Sequence, residues 1–151
     1  MHAEDTGVVA KIHAQAFSRQ HSSEKWIASN FAAFPRIMIF VARDEQDKVI
    51  GYIQWSHKSG FRQDAVIELE QIAVLQTKQH QGIATKLIQE SLTHVKDYLR
   101  DNRSVLKSIL ISTRSDNHAQ ALYKKALGAQ VIATVNDLYS ADEVLMLAKS
   151  L

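Results

Sequence analysis

Cysteine is absent from all 151 residues. That excludes a disulfide framework, a thiolate metal site and a cysteine nucleophile. Proline occurs once, at Pro35, and glycine five times. No repeat, linker or low-complexity segment interrupts the chain. No apolar run reaches membrane-spanning length, and Met1-His2-Ala3-Glu4-Asp5 does not read as a signal peptide. A cytoplasmic protein with no membrane partner is therefore expected. The formal net charge is only +2, too small for a committed nucleic-acid binder. What is present is a globular composition, 46% hydrophobic and 23% charged. Residues 1–151 suit a single domain large enough to bury a core without staples.

Seven histidines raise the question of a metal. His2, His13, His21, His57, His80, His94 and His118 form no His-x-x-x-His pair, and none has a carboxylate at ligand spacing. The expectation is scattered surface histidines and no metal. Lys96, Arg100, Arg103 and Lys107 are interleaved with Asp97 and Asp101, which reads as a solvated face with no nucleic-acid partner.

Asp5 or Thr6 can cap a helix through Val9, Ile12, His13, Ala16 and Phe17. Ser22 or Ser23 can cap a second, through Trp26, Ile27 and Phe31, which Pro35 ends. Ile37 to Ala42 and Val49 to Trp55 read as a hairpin closed at Asp44-Glu45-Gln46-Asp47. After the polar loop from Ser56 to Asp64 come a strand (Val66 to Val74) and a helix (Ile83 to Leu99). A strand (Val105 to Ser112), a helix (His118 to Leu127, with Gly128 as its C-cap) and a strand pair (Gln130 to Val135, Val144 to Ala148) complete the chain. This order predicts an α/β fold with a mixed sheet.

The most informative stretch is Gln79-His80-Gln81-Gly82-Ile83-Ala84, between a strand and a helix. The first N–H groups of a helix lack partners within it, and the helix dipole is positive there, which favours an anion. Gly82 has no side chain to hold a phosphate off the backbone. Ala84 intrudes little, and Gln79 can add donors. On local sequence alone, an ordinary strand-to-helix loop fits as well.

The pattern Gln-x-x-Gly-x-Ala after a strand ending in Ala-Val resembles the acyl-CoA signature of the GCN5-related N-acetyltransferase (GNAT) superfamily. A second stretch, Asn117, Ala121, Leu122, Tyr123, Lys124, Leu127 and Gly128, resembles that family's other signature at a suitable distance. The resemblance runs from about Glu4 to the C-terminus. It implies a GNAT-like, mostly antiparallel sheet flanked by helices, with the family's first strand nearly absent. That departure leaves an edge position open or filled by a partner, such as a second copy in a homodimer.

The resemblance also implies roles. Acetyl-CoA would be the co-substrate, its pantetheine beside Ile72, Ala73, Val74 and Asn117. Its phosphates would meet Gln79, His80, Gln81, Gly82, Ile83, Ala84 and Thr85, with Lys124 and Lys125 within approach. The backbone N–H of Ile72 would polarise the thioester carbonyl. Tyr123 would give a proton to the departing CoA sulfur. An amine is mostly protonated at neutral pH, so a general base helps. Glu68 and Glu70 are the candidates, and Glu68, six residues before Val74, matches the base of the histone-modifying branch. An ideal strand would set both on the face of Ile72 and Val74, where apolar neighbours favour a base. The branch that acetylates ribosomal-protein N-termini has its glutamate where Ser112 stands here, so that mechanism is not expected. Phe31, Trp55 and Tyr139 are the candidate acceptor-site residues, with Phe34, Phe61, Asp137 and Asp142 near them, and core packing explains the aromatics equally well. The expected activity is acetyl transfer to a primary amine of a small molecule, peptide or protein. The alternative is a non-catalytic acyl-CoA-binding module.

Overall fold

The computed structural model describes residues 1–149. A 3₁₀ turn, Ala3–Asp5, leads into α1 (Thr6–Ala16) and α2 (Ser23–Ala32), followed by β1 (Ile37–Arg43), β2 (Val49–His57) and β3 (Asp64–Val74). A second 3₁₀ turn, Gln76–Lys78, precedes α3 (Ile83–Asp101), β4 (Val105–Arg114), α4 (Ala119–Leu127), β5 (Gln130–Val135) and β6 (Glu143–Lys149). The six strands lie in the order β1-β2-β3-β4-β6-β5. β1/β2, β4/β6 and β5/β6 pair antiparallel, and β3/β4 pair parallel. The expected α/β architecture is present, and among the described residues no strand precedes α1.

The chain divides into two compact units, each made of two stretches: Met1–Ser56 with Gln71–Leu92, and His57–Glu70 with Thr93 onward. In the first unit, Val9, Ala10, Ile12 and His13 form the buried stripe of α1, the spacing of one helical face. Val9, Ala10 and Ile12 join a core with Ile27, Ile37, Ile39, Val49 and Tyr52. The β1/β2 hairpin turns where expected. The Asp44 carboxylate accepts from the backbone N–H groups of Gln46 and Lys48, both at 3.0 Å. In the second unit, Ile67 lies beside Ile109, which lies beside Ala148. All three are buried, so neighbouring strands present one apolar face. α4 buries Tyr123 and Leu127, one turn apart, and ends at Gly128. Gly128 has φ +65°, and its N–H bonds to Lys124 O while that of Ala129 bonds to Tyr123 O. That left-handed ending favours glycine because it carries no Cβ.

Three local expectations need correction. Asp5 does not cap α1. Its carboxylate turns back to the N–H of His2 at 2.8 Å and sideways to Arg43 at 2.7 Å, a cation brought close only by the fold. Neither Ser22 nor Ser23 caps α2 through its side chain. Ser22 is in the left-handed region at φ 57°, without a capping bond, and Ser23 Oγ bonds His13. Not all histidines are on the surface: His13 and His57 are 0% and 4% exposed. His13 shares the buried stripe of α1, and His57 continues β2 two residues past its expected end.

Candidate functional site

The first unit holds the glycine loop. β3 ends at Val74, the 3₁₀ turn follows, and α3 opens at Ile83. His80 and Gly82 both have positive φ, 61° and 78°. The chain thus reverses twice before the helix, and at Gly82 an L side chain would be strained. The first backbone bond of α3 runs from the Lys86 N–H to Gly82 O at 3.0 Å. The N–H groups of Ile83, Ala84 and Thr85 belong to the turn that lacks intrahelical partners. Gln79, His80, Gln81 and Gly82 are exposed, and Ile83, Ala84 and Thr85 are half-buried. This is an open, donor-rich helix start suited to a phosphate. Gln79 differs from the expectation. Its side-chain N–H donates to Val74 O at 3.0 Å, so it closes the loop onto the strand end.

Beside the strand end is a polar cluster that sequence reasoning missed. The Gln71 side-chain oxygen accepts from Tyr52 Oη at 3.0 Å and Trp26 Nε1 at 3.3 Å. Its amide nitrogen lies 3.1 Å from His13 Nε2 and 3.3 Å from Gln20 Oε1. His13 Nδ1 meets Ser23 Oγ at 2.9 Å, and Nε2 lies 3.0 Å from Gln20 Oε1. The cluster ties α1 and α2 to the residue before Ile72. The only sequence signal for it was a histidine in the apolar stripe of α1.

Burial holds the His13 pKa below its usual 6.5, against a smaller upward pull from Gln20. The native state therefore binds fewer protons there than the unfolded chain. Stability present above pH 6.5 is lost as pH falls through the native pKa. Urea melts from pH 7.5 to 5 should show this decline. His13→Gln, neutral throughout, should lack that part of the slope.

Two candidate acceptor residues in this unit have other duties. Trp55 is wholly buried, and its indole N–H donates to Ser91 Oγ at 2.9 Å. It is a core residue, not a pocket wall. Phe31 is half-buried and packs on the cluster around Ile27 and Tyr52.

The second unit holds the remaining candidates. Alternate β3 positions Glu68 and Glu70 are partly exposed, between buried Ile67, Leu69 and Gln71. Glu68 is not simply among apolar residues: its Oε2 takes a 2.7 Å ion pair from Lys58 Nζ. The β3/β4 register runs from Asp64 beside Val105 to Glu68 beside Leu110, so it ends before either strand does. Asn117 caps the start of α4. Its Oδ1 accepts from the Ala119 N–H at 2.9 Å, and its Nδ2 donates to Thr113 Oγ1 at 2.8 Å. Tyr123 is 6% exposed, and its hydroxyl has no hydrogen-bond partner among the described residues. Burial pushes its pKa up to about 12. Tyr139, in the β5–β6 loop, is 79% exposed.

The basic stretch is held in ion pairs: Arg100 with Asp97 at 2.8 Å and Asp101 at 3.3 Å, and Lys107 with Asp64 at 2.6 Å. No cluster of three or more metal-binding side chains occurs among the described residues. Nor is any described helix long and apolar enough to cross a membrane.

No curated protein matches the sequence. The fold resembles several solved acetyltransferases. NAA60 of Arabidopsis thaliana, in complex with a bisubstrate analogue, is 16% identical with TM-score 0.78, covering 99% of this chain and 94% of that one. Ard1 from Thermoplasma volcanium is 19% identical with TM-score 0.76, over 100% and 95%. An aminoglycoside 6'-N-acetyltransferase complexed with coenzyme A is 13% identical with TM-score 0.76, over 99% and 93%. At such identities the likeness speaks for the fold. The profile of the acetyltransferase (GNAT) family matches residues 8–129, a span that includes both the glycine loop and Tyr123, and the chain belongs to that family.

Proposed function

We propose that the protein moves an acetyl group from acetyl-CoA to a primary amine by direct attack. The observation that carries this reading is the glycine turn at φ 78° opening α3 directly after β3, within a chain of acetyltransferase family. The free N–H groups at the start of α3 hold the pyrophosphate, and Gly82 gives it access to them. The Ile72 N–H polarises the thioester carbonyl. Tyr123 offers its O–H to the sulfur as it leaves. Positioning and carbonyl polarisation supply most of the acceleration. Membership of the acetyltransferase (GNAT) family supports acetyl transfer as the reaction class, and a solved protein of like fold is an aminoglycoside 6'-N-acetyltransferase.

The test is a panel of primary amines with acetyl-CoA, covering small molecules, polyamines and peptide N-termini and reading the free thiol. At least one amine should release thiol in proportion to the acetylated product. If acetyl-CoA raises the melting temperature but no amine releases thiol, the protein is an acyl-CoA-binding module instead.

A further inference from the structure

The buried positions of β3 alternate along the strand, and Gln71 is the one polar residue among them. An apolar residue would fill this place without the cost of burying an amide. Separate elements converge on its side chain: α1 through His13, the loop after α1 through Gln20, α2 through Trp26 and β2 through Tyr52. The oxygen accepts from Tyr52 and Trp26, which fills both lone pairs, and the nitrogen faces His13 Nε2 and Gln20 Oε1 with its two hydrogens. The Trp26 indole N–H can only donate, so the amide oxygen must face it and the side chain has one orientation. A second bond seats the helix. Asn30, one turn after Trp26, donates to Gln54 Oε1 at 3.1 Å, and Gln54 shares a face of β2 with Tyr52.

This grip acts on the next residue through covalent geometry. The Ile72 N–H belongs to the planar peptide unit that begins at the Gln71 Cα. Its direction is set by ψ of Gln71 and φ of Ile72. A side chain locked at its far end leaves the Gln71 Cα–Cβ bond, and so that peptide plane, little freedom. The glycine loop is fastened separately, by Gln79 Nε2 on Val74 O. Both fastenings and Ile72 itself lie within the first unit. A polarising N–H acts best when it is already aimed at the place where the oxygen's charge develops. A misplacement of about 1 Å, caused by a change away from the chemistry, can cost about 10²-fold in rate.

We propose that Gln71 is a positioning residue for the acetyl transfer: its hydrogen-bonded amide fixes the peptide plane that carries the Ile72 N–H and so aims that N–H at the thioester carbonyl oxygen. The assignment rests on the acetyltransferase reading above. As the amine's lone pair attacks the carbonyl carbon, the C–N bond forms and the carbonyl electrons move onto oxygen. The Ile72 N–H holds that charge until the C–S bond breaks and the thiolate departs. No proton passes through the cluster. Gln71 acts only through Ile72, and His13, Trp26 and Tyr52 act only through Gln71.

The experiment compares the wild type with Tyr52→Phe, Gln71→Met and Gln71→Glu. Tyr52→Phe removes one hydroxyl from the hub and keeps the ring. Gln71→Met keeps the length and removes every hub bond. Gln71→Glu keeps an oxygen for Trp26 and Tyr52. Each protein is bound to acetyl-CoA carrying an isotope label at the thioester carbonyl carbon, and infrared difference spectra read the carbonyl band. The same preparations give the melting temperature, the Kd for acetyl-CoA and kcat with the most active amine of the panel, all well below the melting points. In the wild type the band should lie lower than in free acetyl-CoA. Gln71→Met should return it toward the free position and lower kcat about tenfold, with little change in Kd. Tyr52→Phe should do the same to a smaller extent, and Gln71→Glu should restore part of both. Band and kcat unchanged in Gln71→Met, at a lowered melting temperature, mark a merely structural cluster and overturn the assignment. So does a loss of kcat with the band unmoved. If Gln71→Met does not fold, Tyr52→Phe decides, and a band at the wild-type position overturns the assignment. A wild-type band at the free position overturns the role of Ile72 and the assignment with it. A wild type inactive with every amine overturns the acetyltransferase reading itself, and the assignment falls too.

Discussion

Gly82→Glu is expected to abolish the rise in melting temperature that acetyl-CoA produces in the wild-type protein. A ligand that binds only the native state at 100 times its Kd adds about 2.7 kcal/mol, roughly 5–10 °C for a domain of this size. The glutamate would put bulk and negative charge where the phosphates meet the start of α3. Two effects must be separated. Gly82 has φ 78°, so any L residue there bears a strain of about 1–2 kcal/mol. A Cβ at this position would meet nothing within 4 Å, so packing itself is undisturbed. Gly82→Asn is the control: asparagine tolerates the left-handed region and brings no charge. It should melt somewhat lower than wild type and keep much of the acetyl-CoA shift. A full shift in Gly82→Glu would remove the glycine turn from the cofactor site.

Tyr123→Phe should lower kcat by roughly 10–100-fold with acetyl-CoA affinity nearly intact. A free phenol near pKa 10 would be a ready proton donor. In the fold it is pushed up to about 12 by burial. Against an ordinary thiol near 8.5, full transfer is uphill by about 5 kcal/mol. Tyr123 is therefore better suited to stabilising the departing thiolate by a hydrogen bond. Such a bond to a charged group is worth about 1.5–3 kcal/mol, which sets the expected loss. The hydroxyl has no hydrogen-bond partner to abandon among the described residues, so the variant should melt close to the wild type. Full kcat with a lowered melting temperature would retire the role. A second signature lies at high pH. Because the native pKa is raised, the native state holds its proton more tightly than the unfolded chain. This stability is fully present below pH 10 and is lost as pH rises through 12, about 3 kcal/mol in all. Tyr123→Phe should lack that component of alkaline unfolding.

Much of the framework was legible because it is encoded locally. The two signature stretches fell at a strand–helix junction and on a helix, as their residues implied. Gly128 closes α4 in the left-handed conformation that glycine favours. The strand boundaries moved by one or two residues, most notably where β2 runs on to His57. The misses involve partners distant in sequence. Asp5 found Arg43, 38 residues away, instead of capping a helix. Trp55 found Ser91 and became core. Glu68 found Lys58, a lysine in the preceding loop.

The sequence by itself determined the element order, the glycine turn and the placement of Tyr123 on a helix. These depend on φ preferences, apolar periodicity and spacing, which act over a few residues. Only the tertiary structure decided which polar groups are paired. Gln71 met His13 across 58 residues, and Glu143 was buried opposite Arg114, whose guanidinium turned to Asp116. Burial and charge pairing set how tightly a carboxylate or phenol holds its proton, and both arise when strands far apart in sequence come into register.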